Sequence, residues 1–146
     1  MGIPNFHWNK IPLKLNPDEN QLSFTSGNKT LDHPFFINIG NPHIIFFVNN
    51  LDQYDILKFG PMIENHELFP EKINVNIANI ISKNEINLNV WERGAGYTRA
   101  CGTGACATAV AAIKNHNCQN ELKISLPGGT LDTVSYTHLR AHETRI

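Results

Sequence analysis

The sequence predicts an α+β domain, and two kinds of pattern predict it. In residues 73–77 and 86–90, aliphatic side chains alternate with asparagines, which is the period of two expected of strands with one buried face. Residues 104–115 form an alanine-rich run that follows a glycine-rich turn, and this arrangement predicts a helix. At 146 residues the chain has the length of one domain. We therefore expect these strands and this helix to form one compact unit.

The first third of the chain is predicted to be extended and β-rich. The opening stretch to Pro17 carries three prolines, so we expect extended chain with turns there. Residues 21–25 are predicted to be a short strand. Residues 35–39 and 44–48 are rich in phenylalanine and isoleucine and predict two further strands. The tetrapeptide at 40–43 breaks these two runs, so its polar residues are candidates for a site at a strand junction.

Two more elements follow from local signals. Asp52 is predicted to cap a helix over residues 54–66, which Gly60-Pro61 must split or kink. After the alanine-rich helix, residues 122–126 are predicted to form a strand that ends in a turn at 127–129.

Composition excludes several functional classes. The formal net charge is −1, so there is no basic excess that would favour nucleic acid as a partner, and we expect a small-molecule ligand. The longest apolar run, residues 44–48, is far shorter than the ~20 residues of a membrane span, and the start of the chain lacks signal-peptide character. Three cysteines without paired spacing indicate a reducing compartment, and the cytoplasm is the simplest location.

Neither a metal nor a nucleotide is predicted. The cysteines and seven histidines show no zinc-like pairs, apart from His138 and His142, which fall near the chain end. The Walker pattern fails because no lysine follows Gly104, and the dinucleotide pattern fails because its third glycine is replaced by Ala107. We therefore expect no cofactor.

Cys101 is the principal catalytic candidate, because it lies where the glycine-rich turn meets the alanine-rich helix. Gly102 and Gly104 leave backbone N–H groups uncovered, and the helix directs its positive end at them, so an anion fits there. Such an environment lowers a thiol pKa, from about 8.5 toward roughly 3.5–7.5, so Cys101 is expected to act as a base near neutral pH. The alternative is a small buried hydrophobe. Cys106 and Cys118 are assigned no chemistry.

Glu92 and Arg93 follow the strand at 86–90. Arginine can grip a carboxylate through two hydrogen bonds, and a glutamate can hold or tune a charged neighbour. The alternative is a solvated ion pair at a strand end.

Three motifs occur in a fixed order along the chain: Gly40-Asn41-Pro42-His43, Glu92-Arg93-Gly94-Ala95-Gly96 and Ala100-Cys101-Gly102-Thr103-Gly104-Ala105. Shorter segments accompany them: Met1-Gly2-Ile3-Pro4, Phe69-Pro70-Glu71 before Asn74, and Leu126-Pro127-Gly128-Gly129. In this order they closely resemble diaminopimelate epimerase over residues 1–131. The resemblance implies a pyridoxal-independent isomerase of lysine and peptidoglycan precursor biosynthesis. It also implies one half of a pseudosymmetric fold, in which a mostly antiparallel sheet wraps around a central helix.

The resemblance also implies roles for individual residues. Cys101 matches one of two catalytic cysteines, which exchange the α-proton from opposite faces and interconvert LL- and meso-2,6-diaminopimelate. Gly102 and Thr103 match the backbone donors that hold the reacting carboxylate. Asn41, Asn74 and Arg93 match residues that recognise the distal amino-acid end of the substrate. Glu92 matches a residue that binds substrate. His43 and Glu92 match residues that tune the thiol pKa.

Residues 1–131 thus resemble the C-terminal half of the family. Residues 132–146 occupy the position of the family's last strands but do not match them, so we expect a non-native or disordered tail, such as a translated adaptor. Trimming this tail is expected to leave the thermal melt unchanged. The N-terminal half would be the missing partner, a homodimer is possible in principle, and the chain alone is expected to be inactive. Two alternatives remain: a related two-cysteine racemase, such as one acting on proline, and a non-catalytic half-domain that binds carboxylates.

Overall fold

Strands make up most of the regular secondary structure. The computed structural model describes residues 3–16, 22–135 and 142–145. Within these ranges the strands are β1 (Ser23–Ser26), β2 (Lys29–Asp32), β3 (Phe35–Asn38), β4 (Pro42–Phe47), β5 (Asn74–Ser82), β6 (Glu85–Glu92), β7 (Gly96–Thr98), β8 (Glu121–Leu126), β9 (Gly129–Ser135) and β10 (His142–Arg145). The helices are α1 (Ile56–Glu64) and α2 (Gly102–His116), with short 3₁₀ turns at Trp8–Lys10 and Leu51–Gln53.

A single mixed sheet organises the chain around α2. Its strand order is β10-β9-β8-β6-β5-β4-β3, with β7 paired to β6, while β1 and β2 form a separate hairpin. The pairs β4–β5 and β6–β8 are parallel, and the other pairs in the sheet are antiparallel. Helix α2 packs against β3, β4, β5, β8, β9 and β10. The predicted α+β class, with a mostly antiparallel sheet wrapped around a central helix, is confirmed.

The two faces of the sheet have different cores. In β4, Ile44 and Phe46 pack in the core shared with α1, whereas Ile45 packs with residues of α2. In β6, Val90 packs with α2 and Trp91 packs against the α1 core. Since side chains alternate along a strand, this pattern identifies which residues face the beginning of α2.

Helix α2 is buried on nearly all sides. Its buried residues are Gly104, Ala105, Cys106, Ala107, Thr108, Ala109, Val110, Ala111 and Ala112. Small side chains allow the surrounding strands to approach it closely. A helix that lacks a polar face is usually one that is buried on all sides. The helix ends at Asn117, which adopts the left-handed conformation (φ 56°) and donates its backbone N–H to Ala112.

Helix α1 differs from its prediction in two ways. It begins after Asp55, whose side chain accepts a hydrogen bond from the Leu57 N–H at 3.0 Å, so Asp55 and not Asp52 is the cap. Asp52 instead lies in the short 3₁₀ turn, which is capped by Asn50. The predicted split at Gly60-Pro61 does not occur, because the helix continues through Pro61 to Glu64.

The predicted boundary at residue 131 falls inside a strand. β9 continues to Ser135, and its residues Asp132, Thr133 and Val134 pair with β8. Thr133 is fully buried, and β10 pairs with this same part of β9. Residues 132–135 are therefore part of the sheet, and trimming the chain after 131 would remove a paired strand. The proposed non-native origin of the tail stays a prediction, and residues 136–141 and 146 lie outside the described residues.

The other predicted strands match closely, but four strands were not predicted: β2, β7, β9 and β10. β2 had no strand signal that we recognised, and residue 21 of the predicted first strand lies outside the described residues. In the described part of the chain, neither helix is long and apolar enough to cross a membrane.

Candidate active site

The predicted site residues come together at one corner of the sheet, where the starts of β4 and β5, the end of β6 and the beginning of α2 meet. β4 and β5 run parallel with His43 opposite Asn74, so their polar side chains share one level of the sheet. The alternation in β6 places Glu92 on the same face as Val90, the face that packs on α2.

Cys101 is the N-cap of α2. Its backbone is extended (φ −142°, ψ 102°), and its Sγ accepts a hydrogen bond from the Gly104 N–H at 3.2 Å. Thr103 Oγ1 lies 3.6 Å from the same sulfur. The thiol thus takes the position that a serine or aspartate side chain usually holds at a helix start. This geometry agrees with the predicted helix-terminus site.

The pKa of Cys101 lies above the usual value, which contradicts the expectation of a lowered pKa. Burial of the thiol is the largest cause, because it penalises the charged thiolate. Hydrogen bonds from Thr103 and Gly104 act in the opposite direction, and Glu92 adds a further upward shift through a hydrogen bond and its negative charge. The local features of the helix start are present, but burial outweighs them.

Asn41 and His43 connect the beginning of β4 to α2. Asn41 Nδ2 donates to Thr103 Oγ1 at 3.2 Å, and His43 Nε2 lies 3.0 Å from Asn41 Oδ1. His43 is completely buried. Burial, reinforced by the positive charge of Arg93, lowers the pKa of His43 to about 3, so its ring is neutral at physiological pH. His43 therefore reaches the thiol through two intervening side chains.

Asn74 ties the start of β4 to the turn after β6. Its Nδ2 donates to the Pro42 carbonyl at 2.8 Å, and its Oδ1 accepts the Arg93 N–H at 2.8 Å. The Arg93 side chain is exposed and donates to the Glu71 carbonyl at 3.2 Å. Arg93 is therefore placed at the rim of the corner with its guanidinium accessible, while Asn74 is buried beneath it.

The beginning of α2 is open to an anion. The first N–H groups of a helix have no carbonyl partner within it, and those of Gly102 and Thr103 belong to this turn. Gly102 is exposed, and a Cβ built on it would meet nothing within 4 Å. By contrast, a Cβ on Gly104 would lie 2.8 Å from Asn76 Oδ1 and 3.2 Å from Cys101 Sγ. The turn is thus tightly packed on its inner side and free on its outer side.

Two residues of the site were missed from the sequence. Asn76 is fully buried, and its Nδ2 lies 3.0 Å from His43 Nδ1. Glu64, at the end of α1, is 8% exposed, and its two carboxylate oxygens accept from Trp91 Nε1 at 2.9 Å and from the Gly94 N–H at 2.8 Å. The alternation in residues 73–77 placed Asn76 on the face of Asn74. No local signal indicated Glu64, whose partners lie far along the chain.

The described residues contain no group of three or more histidine, cysteine or acidic side chains arranged to hold a metal ion. Cys106 and Cys118 are both buried, in different core clusters of the α2 face.

Comparison with known proteins identifies the family. The sequence profile described as "Diaminopimelate epimerase" matches residues 35–140. The chain belongs to the diaminopimelate epimerase family. The "Diaminopimelate epimerase" of Erythrobacter litoralis is 49% identical over 131 residues, which cover 90% of this chain and 48% of that protein. The one from Zymomonas mobilis is 47% identical over 141 residues, covering 95% of this chain and 52% of that protein.

The chain therefore spans about half the length of the curated relatives it matches. Among solved structures, the fold is similar to that of a phenazine biosynthesis protein of the PhzF family from Enterococcus faecalis. The TM-score is 0.51 at 15% identity, over 67% of this chain and 35% of that one. This likeness shows a shared fold. The family membership agrees with the resemblance inferred from the three motifs.

Proposed function

We propose that this chain supplies one half of a diaminopimelate epimerase, which interconverts LL- and meso-2,6-diaminopimelate without pyridoxal phosphate. Cys101 provides one of its two acid–base groups. The observation that carries the proposal is the position of the Cys101 thiol, which caps α2 at 3.2 Å from the Gly104 N–H beside an open helix start.

The reaction needs an anion site and a proton-transfer group at the same place. The α-proton of an amino acid is weakly acidic, so negative charge developing on the carboxylate must be stabilised by fixed dipoles. The N–H groups of Gly102 and Thr103 supply such dipoles within one turn of the thiol. Burial of Cys101, which is 6% exposed, keeps the sulfur away from bulk water.

Inversion needs two groups on opposite faces of the carbon. A thiolate on one face takes the α-proton and becomes a thiol, while a thiol on the other face gives its proton to the carbanion and becomes a thiolate. The raised pKa of Cys101 favours the thiol, so in this chain it is poised as the proton donor. Cys106 lies within α2 and Cys118 lies beyond its C-terminal end, so neither shares the helix start with Cys101, and we expect the opposing group from the half that the relatives contain beyond the matched region.

Polar side chains around the corner favour a substrate with a charged distal end. Arg93 is exposed at the rim, and Asn41 is half-buried beside Thr103. A site for proline would offer apolar surface instead, since a pocket must leave no polar group unpaired. We therefore favour diaminopimelate over proline as the substrate.

The test measures deuterium incorporation at the α-carbon of LL-diaminopimelate in D₂O. The isolated chain is compared with the same chain fused behind the N-terminal half of the Erythrobacter litoralis relative. We expect exchange only in the fusion, and its loss in Cys101→Ala but not in the matched control Cys118→Ala. Exchange that survives in Cys101→Ala would refute the assignment.

A binding measurement separates the alternatives. Calorimetric titration of the isolated chain with meso-diaminopimelate should show saturable binding that Arg93→Ala weakens. Competition by proline, with no response to Arg93→Ala, would instead support the racemase. Saturable carboxylate binding by a fusion that gives no exchange would support the non-catalytic half-domain.

A further inference from the structure

A continuous row of polar contacts runs from the centre of the sheet to the thiol. Asn76 Nδ2 lies 3.0 Å from His43 Nδ1, and His43 Nε2 lies 3.0 Å from Asn41 Oδ1. Asn41 Nδ2 lies 3.2 Å from Thr103 Oγ1, which lies 3.6 Å from Cys101 Sγ. Each inner member is both donor and acceptor, so the row has two possible directions. Which direction it takes decides whether the Cys101 sulfur receives a hydrogen bond from Thr103 in addition to the one from the Gly104 N–H.

Backbone carbonyls at the inner end select the direction. Asn76 Nδ2 donates to the Ile44 carbonyl at 3.1 Å and approaches the Asn74 carbonyl at 3.5 Å. A reversed amide would point its oxygen at these two carbonyl oxygens, which cannot donate. Asn76 is fully buried, so such a mismatch would cost about 1–3 kcal/mol for each polar group left unsatisfied. The N–H₂ group of Asn76 therefore faces β4, and His43 Nδ1 must accept from it.

The remaining bonds follow from this one choice. A neutral histidine that accepts at Nδ1 carries its proton on Nε2, so His43 donates to Asn41 Oδ1. The Asn41 amide is then oriented with Nδ2 toward Thr103, to whose oxygen it donates. The Thr103 hydroxyl then accepts from Asn41 and keeps its own proton available for Cys101 Sγ, which lies 3.6 Å from its oxygen.

We propose that Asn76 is a positioning residue that fixes the His43 tautomer and thereby directs the Thr103 hydroxyl proton onto the Cys101 sulfur. Its role in proton transfer rests on the function proposed above, but the direction of the row does not. The Oδ1 of Asn76 has no hydrogen-bond partner among the described residues, so the amide is held through its nitrogen alone. The charged groups that act on the row are Glu92, at the thiol, and Arg93, at the His43 ring.

The first test reads the tautomer in the wild-type chain. Long-range ¹H–¹⁵N correlation spectra of the uniformly labelled chain at pH 7 report the protonation state of each imidazole nitrogen, and comparison with His43→Gln assigns the His43 signals. We expect a pyridine-like Nδ1 and a protonated Nε2. A proton on Nδ1, either in the neutral Nδ1–H tautomer or in the imidazolium ion, would overturn the proposal.

The second test reverses the donor at the inner end. Asn76→Asp is studied at a pH where infrared carboxyl bands show the new side chain to be ionised, so that it can only accept and His43 should become protonated at Nδ1. Asn79→Asp, on the same strand but outside the row, adds the same charge and should leave the His43 signals unchanged. A Nε2-protonated tautomer retained in folded Asn76→Asp would also overturn the proposal.

The third test reads the thiol directly. Peptide-resolved mass spectrometry follows alkylation of Cys101 by iodoacetamide as a function of pH, separately from Cys106 and Cys118. Loss of one directed hydrogen bond should slow alkylation at neutral pH by about three- to tenfold in Asn76→Ala, with a higher apparent thiol pKa. Asn79→Ala should match the wild type.

Equal alkylation profiles for folded Asn76→Ala and the wild type would refute the link to the thiol. These readouts use the chain without substrate, so they can succeed or fail whether or not deuterium exchange is observed. Failure of the exchange assay alone would remove the proposed reaction and leave the tautomer result intact.

Discussion

Acidification should destabilise the chain through His43, and the size of the effect follows from its burial. The folded pKa is about 3, against 6.5 for an unperturbed histidine. Between these values the unfolded state binds a proton that the folded state excludes, so stability falls as the pH decreases from about 6.5 and levels off below about 3. Each pKa unit corresponds to about 1.4 kcal/mol, so lowering the pH from 7 to 5 should cost about 2 kcal/mol from this one residue.

Urea denaturation at pH 7, 6 and 5 measures this cost, with His43→Gln as the comparison because glutamine does not titrate in this range. All other titrating groups remain in both proteins, so the difference between their stabilities isolates His43. Between pH 7 and pH 5 the wild type should lose about 2 kcal/mol more stability than His43→Gln. Parallel profiles would refute the reasoning. If the variant does not fold, a His43 ¹⁵N signal that titrates above pH 5 in the wild type would refute it equally.

Two further predictions concern the contact of α1 with β6. In Gly60→Ala the new Cβ would lie 2.4 Å from Trp91 Cγ and 2.7 Å from Trp91 Cβ, so the indole cannot swing aside. We expect overpacking near the upper end of about 1–3 kcal/mol, more than the roughly 1 kcal/mol gained in helix propensity, and a lower melting temperature measures it. In Glu64→Gln an amide N–H₂ would face the Trp91 or Gly94 N–H. The free energy of unfolding should therefore fall by about 1–3 kcal/mol, and the near-ultraviolet circular dichroism of tryptophan should change. The exposed control Glu67→Gln should change neither quantity.

Elements with strong local patterns were predicted well from sequence. The alternation at 86–90 lies within β6, the one at 73–77 lies within β5 apart from Ile73, and the alanine-rich run lies within α2. The structure extends each of them, because pairing and packing continue beyond the residues that carry the pattern. The α1 cap was misplaced because Asp52 and Asp55 are both good caps by residue type, and in the structure Asp52 is taken up by the 3₁₀ turn at Leu51–Gln53.

The candidate residues named from the sequence lie near one another and their roles stay predictions, whereas Asn76, Glu64 and the electrostatics of the site were not predicted. The glycines around Cys101 indicated a helix start, which is a local property. Burial of the thiol and the approach of Glu92 depend on how β6 packs against α2, and these raise the pKa. The asparagines of β5 looked like the polar face of a half-buried strand. Asn76 is instead buried, because its N–H₂ group finds the Ile44 carbonyl and the His43 ring on the neighbouring parallel strand.

Because Cys101 caps α2 through its sulfur, two negative charges would compete for one helix terminus. A thiolate at the Gly104 N–H and a carboxylate at the N–H groups of Gly102 and Thr103 draw on the same positive end within a single turn. By reciprocity, a bound carboxylate must make the thiol harder to ionise by the same free energy by which ionisation weakens carboxylate binding. Ligand occupancy and the charge of the sulfur are therefore coupled variables, and a thiol titration of the empty chain measures only one limit of that coupling.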